Sequence, residues 1–127
     1  MRGDRQDKAI PIYSTSGDWA AMLMFPYLFN TLGEWIGWVT PDHDVFDVDG
    51  LYVGFIDDQP RILRRRTLSS AAPRREPPAA PERFNTPSLV PLPPFFRELP
   101  WEIIDVYEDD PDRLHASDSG ELKEDMD

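Results

Sequence analysis

Between Ala9 and Arg66 short apolar and aromatic blocks are separated by polar, turn-forming ones, and the arrangement recurs. Gly17, Gly33 and Gly50 mark three copies, 16 and 17 residues apart. Four positions before each glycine stands an aromatic residue: Tyr13, Phe29 and Phe46. Just before that aromatic lies an apolar one: Ile12, Leu28 and Val45. Two positions after the glycine comes a second aromatic, Trp19, Trp35 or Tyr52, and four after it a very small residue, Ala21, Gly37 or Gly54. Agreement over so many columns identifies an internal repeat. The period fits two strands and two turns. Ser14-Thr15-Ser16, Asn30-Thr31 and Asp47-Val48-Asp49 supply the turns, and glycine supplies the positive φ of a tight hairpin loop. The flanking aromatic and β-branched residues suit pleated strands. Phe25-Pro26, Thr40-Pro41-Asp42 and Asp57-Asp58-Gln59-Pro60 read as links between hairpins, with proline at strand ends.

Simple alternation places Trp19, Ala21 and Leu23 on one face of a strand, with Ala20 and Met22 on the other. The same holds for Trp35, Gly37 and Val39 against Ile36 and Trp38, and for Tyr52, Gly54 and Ile56 against Val53 and Phe55. Both faces are apolar, so both require cover. The expected solution is an all-β domain in which repeated antiparallel hairpins pack round a common axis. The Ala21/Gly37/Gly54 column then lies where backbones crowd, and the aromatic rings interleave at the centre. A fourth copy begins at Ile62-Leu63 and stops: Thr67 stands where the next glycine is due, and Arg64-Arg65-Arg66 replaces the turn.

These residues carry a family resemblance. The apolar-aromatic pair, the Asx or Ser turn, the glycine and the aromatic-x-small ending occur as Leu28-Phe29-Asn30 and Gly33-Glu34-Trp35-Ile36-Gly37-Trp38. The stretch from Ile10 to Arg66 resembles the four-fold beta-flower domain. That resemblance implies a small bacterial module of hairpin petals round a pseudo-four-fold axis, often with a proline-rich tail. It brings no assigned activity and no catalytic residues. The broken fourth copy departs from the pattern. Its missing half could come from the tail, from another chain or from nowhere.

Beyond the repeats the chain divides by composition. Residues 1–8 are charged and expected to be disordered, 9–66 form the hairpin domain, and 67–94 are a Pro/Arg-rich linker. Residues Ser69–Pro73 and Arg74–Pro81 have no apolar period, and proline-rich chain favours extended polyproline II over a packed core, so a disordered, semi-rigid linker is expected. Within it Pro91-Leu92-Pro93-Pro94 has the spacing of peptides that dock in aromatic grooves. Residues 95–108 form a short apolar motif. A helix beginning at Pro100 would align Trp101, Ile104 and Tyr107, whereas a strand over Ile103–Tyr107 would pair at a sheet edge. Phe95, Phe96, Trp101, Ile103, Ile104 and Tyr107 are the candidate partner-binding residues, either for an unknown protein or for docking on their own domain. Residues 109–127 are an acidic tail, expected to be solvated.

Charge and composition narrow the function further. The net charge of −11 divides unevenly: −7 over residues 1–60, +5 over 61–83, +1 over 84–97 and −10 over 98–127. Arg61 and the patch Arg64, Arg65, Arg66, Arg74 and Arg75 form a basic belt that could meet a polyanion, but the acidic remainder opposes it, so nucleic acid is an improbable partner. Without cysteine there is neither a disulfide framework nor a thiolate site. No apolar leader follows the charged N-terminus, and Pro26 interrupts the run from Trp19 to Phe29, so neither a cleavable signal nor a membrane span is expected and the cytoplasm is the expected compartment.

Chemistry is not evident. Asp47-Val48-Asp49-Gly50 resembles a calcium loop, but with Gly50 in register the first ligand would be Val45 and the last Ile56. Asp42-His43-Asp44 offers too few donors for zinc. Two histidines, His43 and His115, give no catalytic triad, and no phosphate-binding fingerprint occurs. The expectation is a non-enzymatic module without metal or cofactor. It would serve protein–protein contact or a structural role and present a C-terminal linear motif, with weak anionic binding through the arginines as the alternative.

Overall fold

The computed structural model describes residues 8–67 and 73–116. Eight strands follow one another in a single antiparallel sheet whose spatial order is the chain order. They are β1 (Ile10–Tyr13), β2 (Trp19–Met24), β3 (Tyr27–Asn30), β4 (Trp35–Val39), β5 (Asp44–Asp47), β6 (Tyr52–Ile56), β7 (Ile62–Arg65) and β8 (Ile103–Asp105). A single helical turn, α1 (Val106–Asp109), follows β8. The fold is the all-β ring of hairpins that the repeats predict. Petal one is β1–β2, petal two β3–β4 and petal three β5–β6.

The three petal tips are built alike. Gly17, Gly33 and Gly50 have φ of 102°, 88° and 86°. Each donates its N–H to the carbonyl three residues back, on Ser14, Asn30 or Asp47. The side chains of those same residues accept backbone N–H groups inside the turn. Asn30 Oδ1 takes Leu32 and Glu34, Asp47 Oδ1 takes Asp49 and Leu51, and Ser14 Oγ takes Asp18. The turns were therefore written in the sequence by a short polar side chain three positions before a glycine.

The alternation of faces differs from the simple expectation. Ile12 pairs with Ala21, but the next pair is Tyr13 with Trp19, so Ala20 is an extra residue. The same shift leaves out Ile36 in petal two and Val53 in petal three. A bulge of this kind reverses the side-chain order around it. Ala21 therefore faces inward with Ile12, while Trp19 lies on the side of Tyr13. Ile36 and Val53 turn into the core, and Trp35 and Tyr52 out of it. The centre is consequently aliphatic, not aromatic: Ile12, Ala21, Leu23, Leu28, Ile36, Val39, Val45, Val53, Ile62, Val106 and Leu114 form one cluster, with Ile56 and Tyr107 packed against it. The aromatic rings make a second, outer layer. The crowded small column is where it was expected. A Cβ on Gly37 would lie 2.5 Å from the Phe46 carbonyl oxygen, and one on Gly54 2.1 Å from that of Leu63, so each petal leans on the first strand of the next.

The chain's own tail completes the fourth petal. β8 pairs with β7 through Leu63–Asp105, Arg64–Ile104 and Arg65–Ile103. Of the two conformations open to this segment, the strand is the one adopted, over Ile103–Asp105. A helix starting at Pro100 does not form; the single turn begins only after Asp105, whose carboxylate caps it by accepting from Tyr107 N at 2.9 Å. The two ends of the sheet then meet. Tyr13 N donates to Pro60 O at 2.8 Å, and Thr15 and Ser16 bond the carboxylates of Asp105 and Glu108.

Residues 110–116, expected to be a solvated tail, return to the domain. Arg113 forms an ion pair with the buried Asp47 at 2.6 Å and donates to Tyr52 O at 2.9 Å. That places Leu114 over Gly37, in the core. Leu114→Ala should lower the unfolding free energy by about 2–3 kcal/mol, the usual cost of a buried leucine truncated to a cavity, as read from the urea midpoint. A surface leucine would give no such shift. The expected disorder of residues 1–7 and 117–127 falls outside the described residues.

Candidate functional site

Outer aromatic rings on a sheet need cover, and residues 73–100 provide it. This stretch has neither helix nor strand, as a proline-rich chain should. Contrary to the expected disordered linker without an apolar period, it carries one and lies ordered along the domain. Pro78, Pro81, Phe84, Pro87, Val90, Pro93, Phe96 and Leu99 are apolar at every third position. All of them except Pro87 are half-buried, and apart from Pro77 and Thr86 the residues between them are exposed. Three residues per turn is the repeat of polyproline II, so one edge of the segment lies along the domain while the others face water. The segment is a strap across the petals.

The strap meets the petal tips in reverse order. Arg75 N donates to Gly50 O at 3.0 Å, and its guanidinium lies 5.5 Å from the centre of the Phe46 ring. Nine residues on, Phe84 N donates to Gly33 O at 2.9 Å, and its ring stacks on Phe29 with centroids 5.2 Å apart. After another nine, Pro93 packs against Gly17 with Cγ 3.6 Å from the place of a Cβ. Proline has no N–H to give, and here the hydroxyl of Tyr13 donates to Pro91 O instead, while Phe96 packs on the Tyr13 ring. At the first two stops a preceding arginine lays its stem across the glycine: Arg74 Cγ is 3.3 Å from the Gly50 Cβ position and Arg83 Cγ 3.6 Å from that of Gly33. Arg83 also donates to Leu32 O at 2.8 Å.

The strap's last anchor is a buried arginine. Arg61 is only 1% exposed. Its two terminal nitrogens donate to Thr15 Oγ1 and Arg97 O, both at 3.0 Å, and Phe96 lies over it at 5.0 Å. The Thr15 hydroxyl in turn donates to Asp105 Oδ2 at 2.5 Å, and the Thr15 N–H donates to the same oxygen at 2.6 Å. Arg61 and Asp105 are thus linked through a shared threonine. Outside this network Arg97 pairs with Asp58 at 2.6 Å, which holds that carboxyl below its ordinary range. Burial, followed by the Asp105 carboxylate, raises the Tyr107 phenol.

The residues singled out in the sequence are scattered along this arrangement. Ile103 and Ile104 are strand residues of the fourth petal, and Tyr107 packs on the core. Phe96 lies between Arg61 and Tyr13. Trp101 is 68% exposed and lies under Arg66, whose guanidinium is 4.7 Å from its ring. Phe95 touches little and is 97% exposed. The arginine patch does not converge on one face. Arg64 pairs with Asp110 at 3.6 Å, Arg66 donates to Trp101 O at 2.6 Å, Arg74 pairs with Glu76 at 4.0 Å, and Arg75 covers Phe46. Arg65 is exposed. Nothing in the sequence marked Arg61 as the buried member of its group.

At the other end of the axis the links between petals surround an apolar cleft of about 440 Å³, walled by Ile12, Leu23, Val39, Ile56 and Phe25. Among the described residues no three His, Cys, Asp or Glu side chains come together as metal ligands would, and no helix is long and apolar enough to cross a membrane. Neither the curated proteins nor the solved structures contain a match to this chain. One family model does match it, over residues 4–103, a span that takes in the three glycine petals, β7 and the strap. On that match the chain belongs to the 4-fold beta flower protein family.

Proposed function

We propose that the protein is a non-enzymatic interaction module whose petals hold the strap rigid so that its outer edge can be read by a protein partner. One observation carries this reading. Leu89, Leu92 and Phe95 are 85%, 91% and 97% exposed, at the three-residue spacing that aligns side chains along one edge of a polyproline II chain. The adjacent column, Val90, Pro93 and Phe96, is half-buried against the domain. Residues 84–96 carry no charged side chain, so the ridge is apolar along its whole length. Large side chains left this bare on a small domain mark contact surfaces. A strap already fixed on its inner edge has less conformational freedom to lose on binding. The partner that suits it has an aromatic-lined groove, the surface that accepts such ridges.

Site-specific photo-crosslinking tests this. A crosslinker at Leu92 or Phe95 should give a discrete adduct in cells, and one at Val90 should not. With the crosslinker at Leu92, the additional changes L89S and F95S should abolish the adduct while leaving the melting temperature within about 2 °C, since exposed positions contribute little to folding. Equal labelling from Val90 and Leu92, or an adduct from Leu92 that survives L89S/F95S, would discard the ridge.

A further inference from the structure

Along β4 the inner face of the sheet meets two different neighbours. Toward the petal tip Leu114 lies over Gly37, its Cδ2 3.2 Å from the place of a Cβ, and with Val106 it joins the aliphatic cluster. Two residues on, at the link end, Val39 borders open space instead. There Ile12, Leu23, Val39 and Ile56 wall the apolar cleft of about 440 Å³, and Ile10 and Phe25 at its edge are 41% and 52% exposed. The first three belong to the cluster and Ile56 packs against it, so the cleft is the open end of the core itself. The sheet fixes its walls: Ile10 pairs with Leu23, and Ile56 N donates to His43 O at 3.0 Å. Such a volume with an aliphatic lining suits a small ligand.

The mouth of the cleft carries an excess of one charge. Asp57 and Asp58, on the link into β7, both line it, and no lysine or arginine does. Asp58 is taken by Arg97 at 2.6 Å, a guanidinium whose field Asp57 also contributes to. Asp57 Oδ1 accepts Gln59 N at 3.0 Å, and among the described residues no cation pairs with its carboxylate. Gln59 is held by the strap, donating to Phe95 O and accepting Arg97 N, which leaves Asp57 and the His43 ring as the polar groups within a ligand's reach. Two carboxylates thus share one guanidinium, and a negative charge remains beside an apolar wall. A carboxylate or phosphate would be repelled there, the more so as the apolar walls exclude water. An ammonium would instead complete the second ion pair while an attached apolar body covered the aliphatic walls. We infer that the cleft binds a small amphipathic amine, with an alkyl or arylalkyl body against Ile12, Leu23, Val39 and Ile56 and its ammonium on the Asp57 carboxylate. The site uses none of Leu89, Leu92 and Phe95, so it stands or falls apart from the ridge.

The probe is n-octylammonium, titrated below its micelle concentration against the full chain at low salt and followed by methyl NMR. The methyl signals of Ile12, Leu23, Val39 and Ile56 should shift and saturate, while those of Leu89 and Leu92 stay in place. Octanoate, with a body of the same length and the opposite charge, should bind at least about tenfold more weakly, a comparison that needs no variant. Asp57→Asn keeps the Oδ1 acceptor for Gln59 N and so the turn. It should weaken octylammonium about tenfold, the share of one hydrogen bond to a charged group, and leave the affinity for octanol unchanged. Shifts that do not saturate, or that are as large at Leu89 and Leu92, overturn the site. Equal affinity for octylammonium and octanoate, or an Asp57→Asn chain that binds octylammonium as wild type does, overturns the choice of an amine. Cleft methyl signals that move with protein concentration in the absence of any probe would give the cleft to a second copy of the chain and overturn the inference.

Discussion

Asp105→Ala should be among the most damaging single substitutions in the chain, with an expected loss of about 3–5 kcal/mol, since three hydrogen bonds to one buried carboxylate, each worth about 1–2 kcal/mol, are lost together. Asp105 is buried, and one carboxylate serves three groups on two parts of the fold. Its Oδ2 takes the Thr15 N–H and hydroxyl from petal one, and its Oδ1 takes Tyr107 N at the start of α1. Alanine leaves the Thr15 amide without its carboxylate partner, removes the cap of the helical turn and takes away the acceptor of the Thr15 hydroxyl on which Arg61 leans. For a domain of this size the melting temperature should fall by on the order of 10–20 °C. Asp105→Asn keeps one acceptor and should lie between the two. Because Arg61 reaches Asp105 through Thr15, Arg61→Met should cost less in the Asp105→Ala background than in wild type. A melting temperature unchanged by Asp105→Ala would mean that petal four is not held to petal one by this contact.

This network also marks the limit of what the sequence disclosed. The petals were legible because everything that makes them is local. Ser14, Asn30 and Asp47 sit three residues before their glycines, and each turn closes within five residues. Gly37 and Gly54 could be read as crowded positions because a repeat exposes a column that a single copy would hide. The assignment of faces failed at one residue per petal. Ala20, Ile36 and Val53 are bulged, and a bulge is set by how a turn meets its strands, which alternation cannot express. The rings expected at the centre therefore face outward.

The strap was missed for a different reason. Its period of three is neither that of a helix nor that of a strand, and the prolines that carry half the column look like linker composition. Phe84 and Arg75 become informative only once Phe29 and Phe46 are known to face outward and to lack cover. Two apolar faces on one strand were the available signal. The first face is satisfied by the aliphatic core, and the second called for a covering layer that only the rest of the chain could supply. Arg61 could not have been separated from Arg64, Arg65 and Arg66 by sequence, because its burial depends on Thr15, Phe96 and Arg97, which come from distant segments.

Gly54→Ala is expected to be as severe as the loss of Asp105, for a reason rooted in the repeat. The new methyl would lie 2.1 Å from the Leu63 carbonyl oxygen and 3.0 Å from the carbon behind it. These are main-chain atoms of β7, which is paired on one side with β6 and on the other with β8, so they cannot swing aside as a side-chain end would. Relief requires separating petal three from petal four. That weakens the Phe55–Leu63 and Ile56–Ile62 pairs and moves Ile62 from its fully buried place in the core. Overpacking of this kind costs about 1–3 kcal/mol where neighbours can adjust, and more where the obstacle is backbone. A loss above about 3 kcal/mol is therefore expected. Gly17→Ala is the control. Its φ of 102° is unfavourable for alanine, but the nearest atom to the added carbon is Pro93 Cγ at 3.6 Å, an ordinary contact. It should cost about 1–2 kcal/mol from backbone strain alone. Urea unfolding of the two variants separates the causes. If Gly54→Ala is no worse than Gly17→Ala, the petals are not pressed together at this column.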